Sequence, residues 1–166
     1  MNFAVALSSL EAWVFLPVAL PICVWAVYSD ITQYKIRNEA VLGLIIGFLV
    51  LGPFAMELSD YFWRFANFGI VLGVGFVLWQ VSGLGAGDAK LAAAIALYIN
   101  TADSGPVLMI WLTAMVAMLL LYSRSFVRVA RNDGVDAARK MELPFGIALA
   151  PTLVIYLILG LSQGGV

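Results

Sequence analysis

Histidine is absent from these 166 residues and cysteine occurs once, as Cys23. An internal disulfide is therefore excluded, and a transition metal would find almost no ligands, so no such metal site is expected. Charge is scarce too: Asp, Glu, Lys and Arg make up 11% of the chain, against about 25% in soluble proteins. No basic run is interleaved with aromatic residues, which excludes a strand-binding groove and with it a nucleic-acid partner. No Lys or Arg falls within Met1–Leu10, ahead of the first apolar stretch. The start thus lacks the basic region of a cleavable signal peptide, and the first apolar segment is expected to stay attached.

What the chain has instead is apolar surface, with 63% hydrophobic residues. Such a composition belongs to an integral membrane protein. The longest polar stretch, Ser123–Glu142, is too short to fold alone, so a single membrane-embedded domain over residues 1–166 is expected. Apolar runs long enough to cross a bilayer as helices cover Ala12–Tyr28, Ala40–Met56, Phe65–Val81, Pro106–Tyr122 and Leu143–Leu161. A sixth run, Ala89–Ile99, is short. It becomes a span if a helix starting at Gly87 or Asp88 continues to Asn100 and its start is covered by protein rather than lipid. The expected fold class is all-α: a polytopic bundle of six transmembrane helices joined by short connections.

Six spans put the loops Asp30–Glu39, Ser82–Lys90 and Ser123–Glu142 on one side of the membrane. Those loops hold Lys35, Arg37, Lys90, Arg124, Arg128, Arg131, Arg139 and Lys140, eight of the nine basic residues, and only Arg64 falls on the other side. The positive-inside rule then makes the first side cytoplasmic and both termini non-cytoplasmic. Omitting the short span scatters this asymmetry, which argues for keeping it. Two acids follow the same logic. Asp30 ends the first span and Asp88 begins the fourth, so both are expected at the cytoplasmic edge. Glu11, Glu39, Glu57, Asp60 and Asp103 read as ordinary span-end or loop charges, while Asp133, Asp136 and Glu142 belong to the large basic loop.

Ionisable groups at a bilayer edge are costly to keep there unless they have a task. Two carboxylates a few ångströms apart do not both ionise easily, so one keeps a proton near neutral pH while the other stays charged. A pair of that kind can hydrolyse an amide, the charged member activating water and the protonated member donating to the carbonyl oxygen. Asp88 sits in Gly85-Ala86-Gly87-Asp88, where Gly85 and Gly87 allow a substrate or a neighbouring backbone to come close. A Gly-rich loop followed by Asp is equally the pattern of a plain helix cap.

Other features have simpler uses. Lys90 either biases the ionisation of Asp88 or meets a lipid phosphate, and the second is the commoner use of a basic residue there. Arg124, Arg128 and Arg131 share one helix face suited to anionic headgroups. Cys23 is a small apolar filler, and Pro17, Pro21 and Pro151 read as kinks rather than ligands. Gly43/Gly47, Gly69/Gly73 and the four alanines of Leu91–Ala96 permit close helix packing.

The segment Gly85-Ala86-Gly87-Asp88 with Lys90, the upstream Asp30 leading into Ile36 and Asn38, and Pro144-Phe145-Gly146 at the last span resemble the type IV prepilin peptidases. These are membrane aspartyl proteases named for a GxGD signature. The resemblance covers most of the chain. It implies a cytoplasmically facing active site in the bacterial inner membrane that removes the basic leader from prepilin or pseudopilin precursors. Asp30 and Asp88 would be catalytic, Gly85, Gly87, Lys90, Asn38, Pro144, Phe145 and Gly146 would form the active-site loops and possible substrate contacts, and no metal or cofactor would be needed. Membrane lipids and pilus-assembly machinery are the further partners it implies. The chain lacks the Cys-x-x-Cys segment of family members that also methylate, and so resembles the short, peptidase-only branch that processes Flp-type pilins in tight-adherence systems. Arg37 stands where many relatives have proline.

Two other classes fit part of this pattern. A small transporter or pilus-assembly subunit would use Asp30 and Asp88 to bind a proton or cation, but would want them near the midplane. An intramembrane protease of the wider GxGD group is the other, although Tyr28-Ser29-Asp30 does not reproduce the adjacent Tyr-Asp pair of presenilin-like enzymes.

Overall fold

The structure, a computed structural model, describes residues 5–82, 85–132 and 145–163. Arg139, Lys140, Asp133, Asp136, Glu142 and Pro144 lie outside those residues. All regular structure among the described residues is helical: α1 (Ser9–Gln33), α2 (Asn38–Ala55), α3 (Leu58–Ser82), α4 (Ala86–Ala96), a 3₁₀ turn (Thr101–Asp103), α5 (Ser104–Asn132) and α6 (Gly146–Gln163). The expected all-α bundle is thus present. Four stretches, Ser9–Gln33, Asn38–Ala55, Leu58–Val81 and Thr101–Arg124, are long and apolar enough to cross a membrane, and Gly146–Ser162 is a shorter apolar helix. The chain is a multi-pass membrane protein.

Exposed aromatic side chains mark the two ends of the bundle. Trp13 and Trp63 project from one end and Trp25, Tyr28, Tyr34 and Trp79 from the other. Amphipathic rings favour the two membrane–water interfaces, and this placement matches such belts.

The start of α1 is set by Ser8 and Glu11, whose side chains cap each other's backbone amides. The helix then runs unbroken through Pro17 and Pro21, both on its outward face. Its buried side follows Ala12, Phe15, Ala19, Cys23, Ala26 and Asp30. These recur at intervals of three and four residues, so Asp30 continues an inward stripe of small and apolar groups. α1 packs on α2 and α6, α5 packs on α6, and α4 lies among α2, α3 and α6. Phe15, Phe48 and Tyr61 stack at the centre and Tyr98 meets Phe15 and Phe48 edge-on, with Tyr98 Oη donating to the Leu44 carbonyl at 2.6 Å.

The fourth element differs from its expected extent. α4 begins at Ala86 and ends at Ala96, four residues short of Asn100. Asn100 is extended (φ −65°, ψ 136°), and its side chain accepts the Ala102 amide, so it caps the 3₁₀ turn instead of prolonging α4. Eleven residues rise only about 16 Å, roughly half a bilayer core. Burial on nearly every side makes such a helix tolerable, since Ala89, Leu91, Ala93, Ala94, Ile95 and Ala96 are all covered by protein.

The glycine pairs divide. A Cβ on Gly47 would meet Val18 Cγ1 at 3.0 Å and Tyr98 Oη at 3.1 Å, and one on Gly43 would meet Ile22 at 3.2 Å. Those two fit the close-packing expectation. Gly69 and Gly73 face outward with nothing within 4 Å, so their four-residue spacing serves no contact within the described residues. Gly69→Ala and Gly73→Ala are expected to leave thermal stability in detergent within about 1 kcal/mol of the parent. Gly47→Ala is expected to lower it by roughly 1–3 kcal/mol through overpacking.

Candidate active site

Asp30 lies on the last turn of α1, 4% exposed. The Gly146 amide, 116 residues away at the start of α6, donates to its Oδ2 at 2.8 Å, and the Ile147 amide also donates to the carboxylate. Two backbone N–H groups aimed at one carboxylate are what an ionised acid requires. Gly146 has no side chain for a reason visible here: a Cβ would sit 2.7 Å from Asp30 Oδ2.

Past Asp30 the chain turns sharply. Tyr34 is left-handed (φ 50°, ψ 35°), and its amide bonds back to the Asp30 carbonyl at 3.0 Å, closing α1. Ile36 is thereby laid on Gly87, where a Cβ would meet Ile36 Cβ at 3.3 Å. The expected close backbone approach at Gly87 is this contact. Arg37 has φ −74° and ψ 135°, within the range a proline ring imposes, so the loop keeps a proline-like course without proline. Its guanidinium lies 5.7 Å from the Trp25 ring centroid and bonds Glu39 at 3.3 Å. Arg37→Pro is therefore expected to fold normally, with a stability change of about 1 kcal/mol or less in a detergent melt.

Asp88 enters from the opposite direction. It is the third residue of α4, half-buried, outside the four long spans. Gly85 occupies the cap position and offers no side-chain bond, and the Asp88 carboxylate accepts the Gly85 amide. The cap reading is thus realised in part, as the reciprocal half of a capping box. A Cβ on Gly85 would stand 2.5 Å from Asp88 Oδ2, so this glycine makes room for the acid itself. Removal from water, and then the negative charge of Asp30, push the Asp88 carboxyl up to about 6, against the Gly85 amide, which lowers it. Two acids 58 residues apart in sequence are therefore brought to one end of the bundle, near enough for the charge of Asp30 to act on Asp88.

The remaining expected residues differ in placement. Lys90 is exposed, and its ammonium is not among the influences on Asp88. Asn38 opens α2 with an exposed side chain. Phe145 is half-buried, and its carbonyl accepts the Ala148 and Leu149 amides, so it starts α6. Among the described residues no three His, Cys, Asp or Glu side chains gather as a metal would need. The chemistry open to the Asp30–Asp88 pair is proton exchange with a water and a carbonyl group.

A family model described as the type IV leader peptidase family matches residues 17–123, a stretch that includes both acids. The chain belongs to the type IV leader peptidase family. No curated protein and no solved structure matches it. As a leader peptidase of this family it has peptidase function, and Asp30, Ile36, Gly87 and Asp88 all fall inside the matched stretch.

Two acids read from sequence as ordinary, and the single basic residue counted on the far side, are not simple span-end charges. Glu11, Arg64 and Asp103 are buried. Arg64 Nη2 donates to Glu11 Oε2 at 2.7 Å, and Asp103 accepts the Ala6 and Leu7 amides and the Tyr156 hydroxyl. The local signal for Glu11 was the Ser8-x-x-Glu11 capping pattern; its partners across the bundle left no trace in the sequence.

Proposed function

We propose that the chain is an aspartyl endopeptidase that removes the basic leader from prepilin-like precursors of the Flp type, with Asp30 and Asp88 as its catalytic pair. The observation that carries this reading is the convergence of the two acids at one end of α1 and α4, where the charge of one raises the proton affinity of the other. Asp30, held by two amides, is the charged member; Asp88 holds the proton. Asp30 takes a proton from water as the water oxygen attacks the peptide carbonyl carbon, and Asp88 donates its proton to the carbonyl oxygen. When the tetrahedral adduct collapses, the C–N bond breaks and the proton on Asp30 passes to the leaving nitrogen. The hydroxyl proton returns to Asp88, which restores the starting state.

Further support concerns orientation. Arg64, the one basic residue counted on the side away from the acids, is buried and paired with Glu11, so it presents no free charge there. The excess of Lys and Arg at the Asp30–Asp88 end then favours a cytoplasmic active site in the bacterial inner membrane. Six crossings follow if α4 and residues 97–103 together make the fourth. A carrier would want its acids midway through the bilayer; these stand at helix ends.

The test is co-expression with an Flp-type precursor having a basic leader and an apolar helix. Wild type is expected to shorten it and the Asp30→Asn/Asp88→Asn double variant is not. Full-length precursor with well-inserted wild type would refute the assignment. Since Asp88 acts here as an acid with its pKa raised to about 6 and Asp30 as the charged base, kcat/KM in detergent is expected to fall as pH rises through about 6 and to fall again in acid, where Asp30 takes up a proton. A pH–rate profile using a leader-spanning substrate checks the sign.

A further inference from the structure

The first turn of α4 holds Asp88 between two close contacts. Successive residues of a helix point about 100° apart, so Gly87 and Ala89 face nearly opposite sides and Asp88 projects between them. On one side Ile36 of the α1–α2 loop lies against Gly87. On the other, α3 meets Ala89 at Gly75, where a Cβ would stand 2.8 Å from Ala89 Cβ, 3.2 Å from its Cα and 3.7 Å from its carbonyl oxygen. None of those atoms ends a flexible side chain, so a side chain at position 75 would have to move one helix against the other. Gly75 is buried although Gly73, Val74 and Phe76 around it are exposed. Helix backbones approach this closely only where small residues meet. Asp88 is bound tightly to the same turn: the Ala89 amide donates to the Gly85 carbonyl at 3.2 Å, and the Gly85 amide donates to the Asp88 carboxylate.

We infer that Gly75 is a positioning residue for the peptidase. Its missing side chain sets how near α3 stands to Ala89, and α3 and Ile36 together fix the place at which α4 presents Asp88 to Asp30. Volume added at position 75 is passed to the backbone one residue from the acid, because a closely packed interior transmits such strain. This inference rests on the Asp30–Asp88 reading.

The test is a double-mutant cycle in detergent, with kcat referred to folded enzyme and an Flp-type precursor as substrate. Gly75→Ala is expected to lower kcat about tenfold with KM nearly unchanged, because small misplacements of reacting groups are costly. Gly73→Ala makes the same exchange two residues away in open space and is expected to keep the wild-type kcat. Ala89→Gly removes the methyl group that Gly75 accommodates, and the gap it leaves is expected to lower kcat several-fold. Adding Gly75→Ala to Ala89→Gly refills that gap and is expected to raise kcat toward wild type. One substitution thus changes the sign of its effect with the residue at position 89.

Wild-type kcat in folded Gly75→Ala, or no gain in kcat on adding Gly75→Ala to Ala89→Gly, overturns the inference. If Gly75→Ala alone does not fold, the second comparison decides. Failure of the peptidase reading is separately visible: Asp30→Asn and Asp88→Asn would then cleave like wild type, while thermal midpoints across the same cycle would still report the contact between positions 75 and 89.

Discussion

Asp30→Asn and Asp88→Asn are each expected to reduce precursor cleavage by about 10³-fold or more, with membrane insertion unchanged. General acid–base catalysis by a positioned group contributes roughly 10²–10⁴-fold, and here one proton is shared, so losing either acid disables both halves of the exchange. Asparagine at position 30 still accepts the Gly146 amide, and at position 88 it still accepts the Gly85 amide, so both local structures survive. Only the proton chemistry is removed. The measurement is the ratio of processed to full-length precursor at equal enzyme abundance, followed by single-turnover rates in detergent. Cleavage at wild-type rate by either variant would refute a paired mechanism.

Gly146→Ala is expected to produce the second largest effect, about 10²-fold in kcat, because misplacement of a reacting group by about 1 Å has that consequence. The new Cβ would stand 2.7 Å from Asp30 Oδ2 and 3.1 Å from its Cγ. The obstructing atoms belong to Asp30 itself, its Cβ at 3.3 Å included, so the side chain that yields is the acid. Asp30 must therefore rotate away from the two amides that hold it, and its alignment with Asp88 is lost. Global stability should change far less than rate, as a single residue at the start of α6 is affected. A thermal melt beside kcat and KM separates the two, and unchanged kcat would show that the Gly146 contact does not align the acid.

Much of the site was legible because its main signals are local. The Gly85-Ala86-Gly87-Asp88 segment lies at a break between apolar runs, and the distribution of Lys and Arg was enough to bring Asp30 and Asp88 to one end of the bundle. The stop at Ala96 was not legible, because it depends on Asn100 turning its side chain to cap the next element. The roles of Glu11, Arg64 and Asp103 were hidden for a related reason. A charge near a span end looks the same whether it faces water or a partner 53 or 97 residues away. Small-residue spacing also says nothing about direction, so Gly43/Gly47 and Gly69/Gly73 looked alike although one pair faces α1 and the other faces out. The Gly146 amide could not be foreseen as the partner of Asp30, since backbone donors have no residue signature.

The long reach of these bonds has a consequence for biosynthesis. When α1 is complete at Gln33, Asp103, which will accept the Ala6 and Leu7 amides, is still about 70 codons from being translated, and the amide that will donate to Asp30 is later still. Lateral release of the helices must come first and consolidation second, in the order of the two-stage view of membrane folding. A nascent chain arrested before α6 would hold Asp30 without its Gly146 donor, so under the proposed function competence for proteolysis arrives with α6.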